Sequence, residues 1–142
     1  MIRLGDAVVA HVHRHGEADY PHEACGILLG ALDDGGTKRV DEAVALANAR
    51  EDGARHNRFV IRPEDLVRAE RDARQRGKDI LGIYHSHPDH PDEPSKYDLE
   101  HAWPVYSYVI VSVREGRAAS LRSWELSADR SRFEPEPITK EA

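Results

Sequence analysis

Apolar positions along this chain follow two rhythms, one helical and one strand-like, and the changes between them mark out its elements. Residues 4–18 place Leu4, Val8, Val9 and Val12 at near-helical intervals, which predicts a first helix, and Pro21 separates it from the next segment. Cys25 to Ala31 is a short apolar run and Asp33-Asp34-Gly35-Gly36 is a turn signal, so a hairpin is predicted with strands near 25–31 and 38–47. The charged, aperiodic stretch 48–58 reads as a solvated loop, and Phe59-Val60-Ile61 as a brief strand. Pro63 suits the first turn of a helix over about 63–76, which turns Leu66, Ala69 and Ala73 inward and stops before Gly77. Ile80 to Tyr84 reads as a buried strand running directly into His85, followed by a proline-rich loop, 88–94, and a short helix from Ser95. Strands at 105–113 and 118–126 pair across Glu115-Gly116, and Trp103 and Tyr106 read as core residues. The tail from Ser127 is polar, with Phe133 and Ile138 able to anchor it as an edge strand. These elements predict one α/β (α+β) domain over 1–142, with a core of about 2–126 and a tail of 127–142. Its sheet is mixed, mostly antiparallel, and flanked by helices.

Composition narrows the class. The 142 residues, 39% hydrophobic and 32% charged, suit a soluble globular domain with a substantial core. No apolar run approaches the roughly 18 residues of a membrane span, and no basic-then-apolar leader pattern opens the chain. A cytoplasmic location is therefore expected. The single cysteine, Cys25, excludes an internal disulfide framework and a zinc site built on several thiolates, and it is expected to pack as a small hydrophobe. A net charge of −6 argues against nucleic acid as a partner. With nine histidines in the chain, one histidine alone means little, and spacing must carry the inference.

The spacing that does so is His85-Ser86-His87-Pro88, followed six residues later by Ser95-Lys96-Tyr97-Asp98. An extended backbone sends residues i and i+2 to one face, so His85 and His87 can converge on one ion. Pro88 biases His87 toward that geometry. Ser95 and Asp98 share a face on a first helical turn. Taken alone, Ser-x-x-Asp at a helix start is more often a cap, and His-x-His can arise by accident. Together, and directly after an apolar strand, they point to metal: two imidazoles and a carboxylate leave the fourth tetrahedral position for water, as in catalytic zinc sites. Ser86, between the histidines, faces the other way and is expected to bond backbone.

With Glu23 upstream, opening Glu23-Ala24-Cys25-Gly26, these residues resemble the JAMM (MPN+, JAB1/MPN) metalloprotease signature of a distant glutamate, His-x-His-Pro and Ser-x-x-Asp. The resemblance spans about residues 2–126. It implies a JAB1/MPN fold, of cytidine-deaminase-like architecture, one zinc ion per chain, and hydrolysis of peptide or isopeptide bonds. It also implies that His85, His87 and Asp98 bind zinc, that Glu23 holds the zinc water and moves protons, and that Ser95 helps stabilise the oxyanion. Glu23 has this role through the resemblance alone.

The chain is further similar to short bacterial members, with a Glu-x-Cys-Gly opening, that act on ubiquitin-like sulfur-carrier proteins of the ThiS/MoaD type. These release cysteine or another adduct from the carrier's C-terminal Gly-Gly. Only a few residues separate Asp98 from the strand at Val105, leaving no room for the long second insertion of eukaryotic deubiquitinating relatives. Phe59, Val60 and Ile61 are the expected substrate-binding residues, pairing with an extended tail by strand addition. Alternatives are a general isopeptidase acting on modified protein lysines, or a non-catalytic module stabilised by zinc.

Overall fold

The computed structural model describes residues 1–49 and 59–140, which form eight strands and three helices. In chain order these are β1 (Ile2–Leu4), α1 (Asp6–Asp19), β2 (Cys25–Leu32), β3 (Lys38–Leu46), α2 (Pro63–Gln75), β4 (Asp79–Pro88), α3 (Lys96–Glu100), β5 (Ser107–Arg114), β6 (Arg117–Leu126), β7 (Phe133–Glu136) and β8 (Ile138–Lys140). The strands make one mixed sheet in the order β7-β6-β5-β4-β2-β3-β1-β8. β4 pairs in parallel with β5, and β1 with both β3 and β8; the other neighbours are antiparallel. No described helix is long and apolar enough to cross a membrane.

Alternation along the strands divides the core between the two faces of the sheet. On one face Val8 and Val12 of α1 pack with Tyr84, Val109, Val111 and Val113. On the other, Leu66, Ala69 and Ala73 of α2 cover Ile27, Leu29 and Ile80, and this layer continues into Ile83, Tyr108, Ile110 and Trp124. A bulge in β4 sets the phase. Leu28 pairs with Gly82 but Leu29 with Ile80, so Leu81 is the extra residue. Ile80 and Ile83 therefore both face α2, and continued alternation carries His85 and His87 to that same face.

Several expectations need correction. Residues 2–4 form β1, not the start of a helix, because Leu4 pairs with Val40 across the sheet and the helix begins only at Asp6. Residues 59–61 form no strand: the Val60 N–H donates to the Asn48 side chain at 3.1 Å, and its carbonyl accepts from Ala49 N at 2.8 Å. Residues 50–58 of the expected loop lie outside the described residues. β4 continues through Pro88, since β5 pairs alongside it as far as Pro88 with Val113. Trp103 and Val105 are 58% and 71% exposed, so neither is core, and β5 begins at Ser107. The tail gives two strands, not one. β7 lies on β6 and β8 on β1, at opposite ends of the strand order, with only Pro137 between them.

Candidate active site

The end of β4 presents His85 and His87 from a paired, rigid strand, with relative exposures of 0% and 7%. Ser86 points to the α1 face, where its hydroxyl accepts from Ala24 N at 2.8 Å and its N–H donates to Ala24 O at 3.0 Å. This pairing lays the segment before β2 alongside β4 and brings Glu23, 3% exposed, to the histidines.

Both readings of Ser-x-x-Asp are realised at α3. Ser95 Oγ accepts from Asp98 N at 3.0 Å and Asp98 Oδ2 accepts from Ser95 N at 2.9 Å, a reciprocal capping box. The box holds Asp98 so that the same Oδ2 lies 3.3 Å from His85 Nε2 and 3.1 Å from His87 Nε2. The two Nε2 atoms are themselves 3.1 Å apart. Glu23 offers an oxygen to a looser group, within 4.8 Å of the two imidazoles.

These distances fit a metal ion. A tetrahedron with zinc bonds of 2.0–2.1 Å has edges of about 3.3 Å, close to the three separations. The hydrogen bonding also calls for a cation. His87 Nδ1 lies 2.8 Å from the Pro91 carbonyl oxygen, which can only accept, so Nδ1 carries the hydrogen. The neutral ring then aims its Nε2 lone pair at a carboxylate oxygen and a second imidazole, and three converging acceptors repel unless a positive charge lies among them. Of the two possible sets, His85, His87 and Asp98 is the tighter, with Glu23 beside it.

Electrostatics follow from burial and from that convergence. Burial lowers the pKa of His85 against the pull of Asp98. At His87 burial acts the same way but is outweighed by the Asp98 hydrogen bond and charge, so its pKa rises. Burial works to raise Asp98, yet the imidazoles and the Ser95 N–H hold it well below the usual carboxylate range. Burial pushes Glu23 up to about 8, with His87 opposing, and Glu23 Oε1 has no hydrogen-bond partner among the described residues. Cys25, buried and pushed up to about 12 mainly by desolvation, remains a thiol whose role is packing.

Two hollows meet at this cluster. An apolar one of about 400 Å³ is lined by Phe59, Val60, Ile61, Leu66, Trp103 and Tyr108 and reaches His85 and Asp98. Phe59 stacks on the His85 ring with centroids 4.6 Å apart. A polar one of about 440 Å³ is lined by Glu23, His87, His90, Glu93, Ser95 and Lys96. The structure thus gathers all eight residues singled out in the sequence around one centre. It adds Trp103, at the rim of the apolar hollow, and Asn48, whose amide nitrogen donates to Glu23 O at 3.1 Å while its oxygen accepts from Val60 N. Nothing in the local sequence marks Asn48, because its partners come from separate segments.

Comparison with known proteins agrees with this geometry. Residues 5–127 match the family described as prokaryotic homologs of the JAB domain. A protein named desampylase, from Haloferax volcanii, is 32% identical over 108 residues, 75% of this chain and 74% of the relative. A CysO-cysteine peptidase from Mycobacterium tuberculosis is 32% identical over 124 residues, 87% of this chain and 78% of the relative. Among solved structures, a protein from Desulfitobacterium hafniense superposes with a TM-score of 0.85 at 29% identity, covering 99% of this chain and 93% of the other. A JAB1/MPN domain protein from Archaeoglobus fulgidus has the same fold at 19% identity, with a TM-score of 0.63 and both chains fully covered.

Proposed function

Because this chain belongs to the prokaryotic homologs of the JAB domain, we propose that it is a zinc-dependent peptidase acting on a ubiquitin-like sulfur-carrier protein. It hydrolyses the bond after the carrier's C-terminal Gly-Gly and releases cysteine or a similarly small amine. The observation that carries this reading is the convergence of His85, His87 and Asp98, next to a buried Glu23 and at the head of an apolar groove.

In this reading His85, His87 and Asp98 hold one zinc ion, which when bound lowers the pKa of a water to about 7 and polarises the scissile carbonyl. The chain's own residues do the remainder. Glu23 takes a proton at its unpartnered Oε1 and returns it to the leaving amine. The Ser95 hydroxyl accepts from Asp98 N and still has its own hydrogen to donate to the tetrahedral oxygen. Val60 turns its backbone groups toward residues 48 and 49, so in an extended segment those of Phe59 and Ile61 face the opposite side, where a tail can add as a strand. Glycines at the end of the tail let its backbone approach the metal without steric conflict.

A second reading, release of ubiquitin-like modifiers from protein lysines, is favoured by the similarity to the protein named desampylase. Zinc-loaded protein incubated with carrier–cysteine and carrier–lysine-peptide adducts, read by mass spectrometry with and without chelator, separates the two. The expected result is cleavage after Gly-Gly, faster for the cysteine adduct, slowed when the last glycine is replaced by valine, and abolished by chelator. Faster cleavage of the lysine adduct selects the second reading. If neither adduct is cut, both fail, and a zinc-stabilised module remains.

A further inference from the structure

The loop leaving β4 is clamped by its carbonyls, and one of them orients an imidazole of the site. His90 O accepts from Ser112 Oγ at 2.6 Å, Pro91 O from His87 Nδ1 at 2.8 Å, and Asp92 O from Trp124 Nε1 at 3.0 Å. Three consecutive carbonyls are thus claimed in turn by β5, by the imidazole and by β6. Pro91 has no N–H of its own and a fixed φ, so the aim of its carbonyl depends on the anchors either side of it. Ser112 is the register partner of His87 on β5 and is fully buried between Val111 and Val113, where a hydroxyl offers nothing to packing. Trp124 is 8% exposed, and the Arg122 guanidinium lies 4.3 Å from its ring centroid, steadying the indole.

We propose that Ser112 and Trp124 are positioning residues for His87: by fixing His90 O and Asp92 O they hold Pro91 O against Nδ1–H, which sets the ring's orientation and leaves Nε2 for the metal. This rests on the proposed role of His87 as a zinc ligand. Outer partners of a ligating histidine typically account for about 10–100-fold in metal affinity. The contacts here lie one bond further out, so a loss near 10-fold is expected for each variant.

The test uses the full chain carrying Ser112→Ala, Trp124→Phe or both, the phenylalanine keeping most of the packing. Two quantities are read: zinc affinity by competition with a chromophoric chelator, and hydrogen exchange of the His87 Nδ1–H by NMR on metal-free protein. Support is weaker zinc binding together with faster Nδ1–H exchange in variants whose melting temperature is near wild type. Variants that fold, bind zinc as wild type does and keep that proton protected overturn the proposal, as does a wild-type Nδ1–H that is not protected. If Ser112→Ala fails to fold, Trp124→Phe alone decides. If wild type itself binds no zinc, the proposed function falls, while the exchange comparison still decides what Ser112 and Trp124 do.

Discussion

Glu23 and Ser95 lie on the same side of the histidines but are held by different forces, so their substitutions should separate cleanly. Glu23→Gln keeps size and burial and removes the proton carrier. Zinc content should stay at one per chain while turnover falls by about 10²–10⁴-fold, the usual contribution of general acid–base catalysis. Zinc lost along with turnover would instead make Glu23 a ligand, which its place in the looser acceptor group permits. Ser95→Ala removes two things at once: an oxyanion donor, worth about 10²–10³-fold in kcat, and the cap on Asp98 N, worth about 1 kcal/mol of stability. Asp98 keeps its bond from Ser95 N, so zinc affinity should change little. Turnover and melting temperature measured side by side distinguish the roles. A lower melting temperature with kcat intact would leave Ser95 as a cap only.

At the scale of elements, the placement of the ligands depends on how closely β2 and β4 approach. A Cβ on Gly26 would stand 2.4 Å from both the Tyr84 ring and the Val44 carbonyl oxygen. The ring cannot swing away easily, because its hydroxyl is bonded to His15 at 2.7 Å and His11 at 3.2 Å. Gly26→Ala should therefore destabilise the protein by about 1–3 kcal/mol, the usual cost of overpacking. It should also weaken zinc binding, since Tyr84 immediately precedes His85; denaturant melts and chelator competition check both effects. The glycine of the Glu-x-Cys-Gly opening is thus explained by packing on the face opposite the site. Elements of this kind were legible in the sequence to the extent that their signals are local. The helix expected over 63–76 is Pro63–Gln75 with the same inward residues, and the hairpin strands lie where the turn signal put them. β1, β7 and β8 were not so legible, because three- and four-residue strands are defined by remote partners rather than by their own periodicity. The site divides in the same way. His85, His87, Ser95 and Asp98 sit within one short stretch, whereas Glu23 reaches them through the Ala24–Ser86 pairing across 62 residues, and only the resemblance pointed to it. Trp103 misled because hydrophobicity alone reads as core, while its place is the rim of the groove.

Over the whole molecule, β7 and β8 join the two ends of the strand order, Phe133 packing on Tyr108 and Ile138 against the α1-side core. The metal-binding cluster lies inside this sheet-and-helix frame, with His85, His87 and Asp98 all buried. Such a preformed, buried set of acceptors has two consequences for stability. Without an ion, the convergence of Nε2 and Oδ2 atoms must be relieved by protons. With one, the repulsion becomes attraction, and that gain belongs to the folded state alone because the unfolded chain separates β4 from α3. A ligand at 100 times its dissociation constant stabilises the folded state by about 2.7 kcal/mol. For a chain of this length that is a rise in melting temperature of about 8–11 °C. Zinc at that excess should therefore raise the melting temperature of wild type by this amount, and chelator should return it to the metal-free value. In the double variant His85→Ala, His87→Ala the shift should vanish. Glu23→Gln should keep it, because that residue lies outside the tighter set. A zinc-dependent shift that survives in the double histidine variant would place the ion elsewhere in the molecule, and elemental analysis of the same samples would confirm whether any is bound.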